Sequence, residues 1–143
     1  MATILFGGPD ECGNAEKNCH NELILGLQKN HKLIYSEDAS FFLSALYFSE
    51  VDNILKLGHE KFDLVLYDAR LFYPAAQIEG RAERFSNFAI PALKFPEKPF
   101  IVLVDFELEE FLKSQPQNFE FNSISIPYDA KEVLLRVDSL LLQ

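Results

Sequence analysis

Residues Phe62–Tyr67 read FDLVLY, with Leu64, Val65 and Leu66 consecutive and apolar. A strand with one face in water alternates apolar and polar residues, whereas a strand covered on both faces has no need to. This run therefore calls for a sheet with helices on both sides. Ala2–Phe6 (ATILF) and Pro99–Val104 (PFIVLV) have the same character. All three are far too short to cross a membrane.

Between these runs the spacing turns helical. Asn14–Lys29 carries Leu23, Ile24, Leu25 and Leu27, and Asn30-His31 marks its end. Lys32–Tyr35 follows as a candidate strand, and Ser36–Ser40 as a polar turn. Phe41–Phe48 has helical spacing at Phe41, Ala45 and Phe48, while its aromatic content also suits a strand; the helical reading is adopted. Ser49–Leu57 is a helix with Gly58 at the C-cap position. After Phe62–Tyr67, Pro74 opens a helix striped by Ile78, Ala82, Phe85 and Ala89 and limited by Pro91. Glu107–Ser114 reads as a short acidic helix and Ser123–Ile126 as a last strand. Asp129–Leu142 is a final helix, with Asp129 and Glu132 at capping-box spacing.

Strand and helix thus alternate along the chain. The expected fold class is α/β, a doubly wound five-stranded parallel sheet with helices on both faces, formed by one domain over 1–143 with no separate output domain. Ligands of such sheets bind beyond the carboxyl ends of the strands.

Lys plus Arg number 13 and Asp plus Glu 22, giving a net charge of −9. With no basic stripe, nucleic acid is a poor partner. Cys12 and Cys19 form no CxxC motif and read as free thiols in a reducing cytoplasm. The N-terminus shows no signal-peptide pattern, and no segment suits a membrane. His20, His31 and His59 are scattered among polar neighbours and read as solvated surface residues.

Asp68 stands immediately after the strongest strand, at the edge where this fold class places its sites. A carboxylate there can accept a phosphoryl group, ligate a cation or cap a turn. Asp105 follows the Pro99–Val104 strand in the same way. Gly7-Gly8-Pro9 can cradle an anion, although it lacks the spacing of a P-loop or dinucleotide motif. Cys12, in the same loop, is a candidate nucleophile with no His partner fixed by spacing.

Glu60–Leu71, with Asp68 ending its strand, closely resembles the third strand of response-regulator receiver domains. Ser49–Leu57 resembles their second helix, Pro99–Val104 their fourth strand, and Ser125-Ile126-Pro127-Tyr128-Asp129 with the helix after it their fifth strand, turn and last helix. The resemblance implies a flavodoxin-like sheet of order 2-1-3-4-5, with Asp68 as phosphoacceptor for a histidine kinase and Mg²⁺ as the one cofactor to consider. Asp10, Glu11, Asp68 and Asp105 are then the metal candidates.

The chain departs from the receiver pattern at four positions. Gly7 and Gly8 occupy the place of the acidic pair, Val104 that of the hydroxyl residue, and Ile126 that of the Lys. Val cannot hydrogen-bond a phosphoryl oxygen and Ile cannot neutralise one. Segments 32–49 and 71–98 exceed receiver length and carry aromatics suited to enlarged hydrophobic packing, to a partner surface or to a covering lid. The expectation is therefore a non-enzymatic, cytoplasmic, receiver-like signalling module that stands alone and binds a protein partner, a histidine kinase or another signalling protein, without phosphorylation. A homodimer is compatible with it. The alternatives are a phosphorylatable receiver using Asp68, and a small-molecule or metal-binding enzyme on the same fold.

Overall fold

The computed structural model describes residues 2–8, 14–55, 61–72, 99–104, 122–126 and 128–142. The elements are β1 (Thr3–Gly7), α1 (Asn14–Asn30), β2 (Lys32–Ser36), α2 (Ala39–Leu55), β3 (Leu64–Asp68), β4 (Phe100–Val104), β5 (Asn122–Ser125) and α3 (Ala130–Leu141). One 3₁₀ turn, Ala69–Phe72, follows β3 directly. All strand pairs are parallel, and the order is β2-β1-β3-β4-β5. This is the order the sequence resemblance implies.

The two faces of the sheet bury separate cores. On one, Leu5, Val65, Tyr67, Phe100, Val102 and Val104 meet Phe42 and Leu46 of α2. On the other, Ile4, Phe6, Leu64, Leu66, Ile101 and Leu103 meet Leu23 and Leu27 of α1 and Val133 and Val137 of α3. The pattern follows from strand alternation and from helical spacings of four residues. Each such side chain, fully withdrawn from water, contributes about 1.5–3 kcal/mol. β3 and β4 are buried at every position, which explains their unbroken apolar runs.

Segments 41–48 and 49–57, expected as two elements, belong to the single helix α2 as far as Leu55. Its Phe residues are helical because Phe42 and Leu46, four apart, fill one stripe against the sheet. Segment 32–49 accordingly holds β2 and the first half of α2 and forms no lid of its own. Asp38 starts α2: its Oδ1 accepts from the Phe41 N–H at 3.0 Å, an N-cap bond. Asp129 does the same for α3, accepting from the Lys131 N–H at 3.1 Å. The helix expected from Pro74, the one over Glu107–Ser114, Gly58, and segment 71–98 beyond residue 72 lie outside the described residues.

α1 and α3 approach closely where Gly26 faces Leu134; a Cβ on Gly26 would stand 2.6 Å from Leu134 Cδ1. His31 Nε2 and Asp138 Oδ1 stand 3.6 Å apart, a second contact between the end of α1 and α3. Among the described residues, no helix is long and apolar enough to cross a membrane.

Candidate functional site

Because every strand is parallel, all five carboxyl ends lie at one edge. Gly7 pairs with Tyr67, Asp68 with Leu103, and Val104 with Ser125. Position 8 of the chain therefore lies beside Asp68. Leu64 and Leu66 face α1 and α3, so alternation directs Asp68 to that same face. Asp68 is only 1% exposed.

The flanking glycines are crowded. A Cβ on Gly7 would lie 2.7 Å from Phe42 Cδ2 and 2.7 Å from Leu71 Cδ2. A Cβ on Gly8 would lie 2.5 Å from Tyr35 Oη and 2.7 Å from His20 Cε1. Real Cβ contacts do not come this close, so any side chain at either position requires its neighbours to move. The volume that a side chain would take at position 7 is held by α2 and the 3₁₀ turn, and at position 8 by α1 and β2.

Val104 is fully buried in the α2-side core. Ile126 is half-buried against the opposite core, and its N–H donates to the Val104 carbonyl at 2.7 Å. Neither brings a hydroxyl or an ammonium to the edge. Asp10, Glu11, Cys12 and Asp105 lie outside the described residues. Among the described residues, no group of three or more His, Cys, Asp and Glu side chains could hold a metal ion.

The structure corrects the reading of the histidines. His20 is buried and His31 is partly so; His59 lies outside the described residues. His20 Nε2 is 2.5 Å from Tyr35 Oη, and Nδ1 is 3.5 Å from Tyr128 Oη. Tyr35 Oη donates to Glu37 Oε1 at 3.2 Å. The Phe6 ring stands 5.3 Å from both the His20 and the Tyr35 ring. One residue earlier, Cys19 Sγ donates to the Tyr128 carbonyl at 2.9 Å. A buried imidazole needs partners for its nitrogens, and the two tyrosines supply them. The signal was present in the sequence: His20, Leu23 and Leu27 fall at i, i+3 and i+7, the stripe of α1 that meets the sheet.

On the opposite face, Tyr67 is buried between Phe42 and Phe100, with ring centroids 5.6 and 6.1 Å away. Burial raises its phenol pKa well above the ordinary value, because the phenolate would lose its hydration.

No family model matches this chain, and no curated protein does. Solved structures do. The BeF3-activated receiver domain of DrrB, a Thermotoga maritima OmpR/PhoB homologue, is 18% identical with a TM-score of 0.61, over 100% of this chain and 99% of that one. A CheY-like receiver domain protein from Methanospirillum hungatei is 17% identical with a TM-score of 0.59, over 99% of this chain and 94% of its own. A protein from a family of streptococcal redox sensors evolved from two-component response regulators is 18% identical with a TM-score of 0.57, over 99% of this chain and 51% of its own. What these likenesses establish is the fold.

Proposed function

We propose that this chain, built on the response-regulator receiver fold, is a signalling module that acts by binding a protein partner and does so without phosphorylation of Asp68. The carrying observation is the filled space beside Asp68. Position 8, on the Asp68 face, is closed by Tyr35 and His20; position 7, on the opposite face, is closed by Phe42 and Leu71; and Asp68 is 1% exposed. An aspartyl phosphate brings charge that must be met by cations or hydrogen-bond donors. Val104 and Ile126 offer neither from their side chains. The streptococcal redox-sensor neighbour supports the reading, since its family is described as having evolved from response regulators to a different sensing task. The net charge of −9 suits a partner with a basic face, such as a kinase or another signalling protein. On this reading the chain is not an enzyme and uses no cofactor.

The test is incubation of the whole chain with a small phosphodonor and Mg²⁺, followed by intact-mass measurement, with Asp68→Asn as control. No phosphoryl adduct is expected. An adduct on the native chain that the Asp68→Asn variant lacks overturns the proposal and restores Asp68 as phosphoacceptor.

A further inference from the structure

His20 lies where three elements meet at the carboxyl edge of the sheet. Its Nε2 faces Tyr35 Oη of β2 at 2.5 Å, and its Nδ1 faces Tyr128 Oη, in the turn between β5 and α3, at 3.5 Å. Tyr35 in turn reaches Glu37 Oε1 at 3.2 Å, in the exposed turn that leads into α2. The same α1 turn also holds the Tyr128 backbone, through the Cys19 thiol at 2.9 Å from its carbonyl. α1 thereby grips the β5–α3 turn by one backbone and one side-chain contact.

The proton inventory gives these contacts a direction. A phenol has one proton, and a carboxylate only accepts. When Tyr35 Oη–H donates to Glu37 Oε1, its oxygen is left to accept from His20 Nε2–H. In the neutral Nε2–H tautomer, the one the relay requires, Nδ1 is the acceptor and Tyr128 Oη–H donates to it. We propose that Tyr128, His20, Tyr35 and Glu37 form a directional hydrogen-bond relay that couples the β5–α3 turn to the β2–α2 turn. The relay gives the domain a built-in path by which a partner engaging one turn alters the other. It goes beyond the function proposed above and does not depend on whether Asp68 is phosphorylated.

Three features let the relay act as a unit. His20 is buried, so water competes little for its nitrogens. Phe6 walls the His20 and Tyr35 rings on one side. Gly8 leaves open the space the His20 and Tyr35 side chains need. Glu37 is exposed, so the chain of contacts runs from the surface to the buried edge.

The test is NMR on the whole chain. Imidazole ¹⁵N signals of His20 are separated from those of the other two histidines with His31→Gln and His59→Gln. The expected pattern is a single Nε2–H tautomer, with both ring nitrogens shifting in Tyr35→Phe. Backbone amides of residues 128–131 are expected to shift in Tyr35→Phe, and that shift is expected to vanish when His20→Phe is also present. An Nδ1–H tautomer overturns the direction of the relay. An amide shift of equal size with and without His20 overturns the coupling. If His20→Phe does not fold, the ring signals of Tyr35→Phe decide alone: a change confined to Nε2 overturns the proposal.

Discussion

The rings of Tyr67 and Phe42 meet at 5.6 Å and 51° on one face of the sheet, while Asp68, the next residue, belongs to the other face. Phe42 also closes the space at Gly7. One aromatic side chain of α2 therefore packs on Tyr67 and fills the space at position 7, both on the face opposite Asp68.

Phe42→Ala removes this double support. Large-to-small changes at fully buried Phe positions cost about 3–5 kcal/mol, and Phe42 is fully buried. Urea unfolding is expected to show a loss in that range. A loss under about 1 kcal/mol contradicts the central place given to this ring.

Tyr67 sets an alkaline limit on stability. Its folded-state pKa is raised by burial, so the folded chain holds the phenol proton more tightly than the unfolded chain does. The resulting stabilisation is complete below about pH 10, where a free Tyr ionises, and is lost as pH rises above that. Urea midpoints measured on either side of that pH are expected to fall toward the alkaline end. Tyr67→Phe is expected to flatten the fall; an unchanged slope assigns it to other groups.

Installing acids at the glycines is expected to damage the fold without creating a metal site. Gly7→Asp and Gly8→Asp each overfill a packed region, a change that costs about 1–3 kcal/mol; at position 8 the added carboxylate stands on the Asp68 face, and at position 7 it stands among Phe42 and Leu71 on the opposite face. Both variants are expected to unfold at lower urea than the parent and to gain no melting-temperature increase from added Mg²⁺. A Mg²⁺-dependent increase in Gly8→Asp shows that the Tyr35 and His20 side chains yield easily.

The Asp129 cap and the exposed Asp138 contact separate by size. Asp129→Ala deletes the cap bond to the Lys131 N–H and is expected to cost about 0.5–2 kcal/mol. Asp138→Asn weakens a 3.6 Å contact to His31 whose carboxylate side is 62% exposed, and screening holds such pairs below about 1 kcal/mol. Chemical denaturation of the two variants side by side checks the ranking.

Much of the fold was legible because β3 and β4 are buried on both faces, and that condition writes itself into LVLY, ahead of Asp68, and FIVLV as runs with no charged residue. Strand alternation and the cap at Asp129 are local, so they too can be read along the chain, whereas Ser36–Ser40 reads only as a turn and does not mark Asp38 as a cap. The continuity of α2 was harder. Phe41, Phe42, Tyr47 and Phe48 carry strand-like propensity, and only contact with the sheet shows that Phe42 and Leu46 form a helical stripe. At the site, the location of Asp68 followed from strand order. The filling of positions 7 and 8 did not, because it depends on Phe42, Leu71, Tyr35 and His20 arriving from four separate elements. His20 is legible only in part: its spacing with Leu23 and Leu27 marks the buried stripe of α1, but its partners Tyr35 and Tyr128 are 15 and 108 residues away.

The crowding at position 8 also bears on which mutational routes are open to this chain. Any side chain there collides with two aromatic groups from two different elements, and trimming either one alone leaves the other in the way. A side chain at position 8 therefore requires both the Tyr35 and the His20 side chains to move, and shortening substitutions at positions 20 and 35 are expected to ease it more together than singly. Each single substitution toward an acid at position 8 thus carries a packing cost, and glycine there is favoured by its neighbours, whatever partner the domain serves.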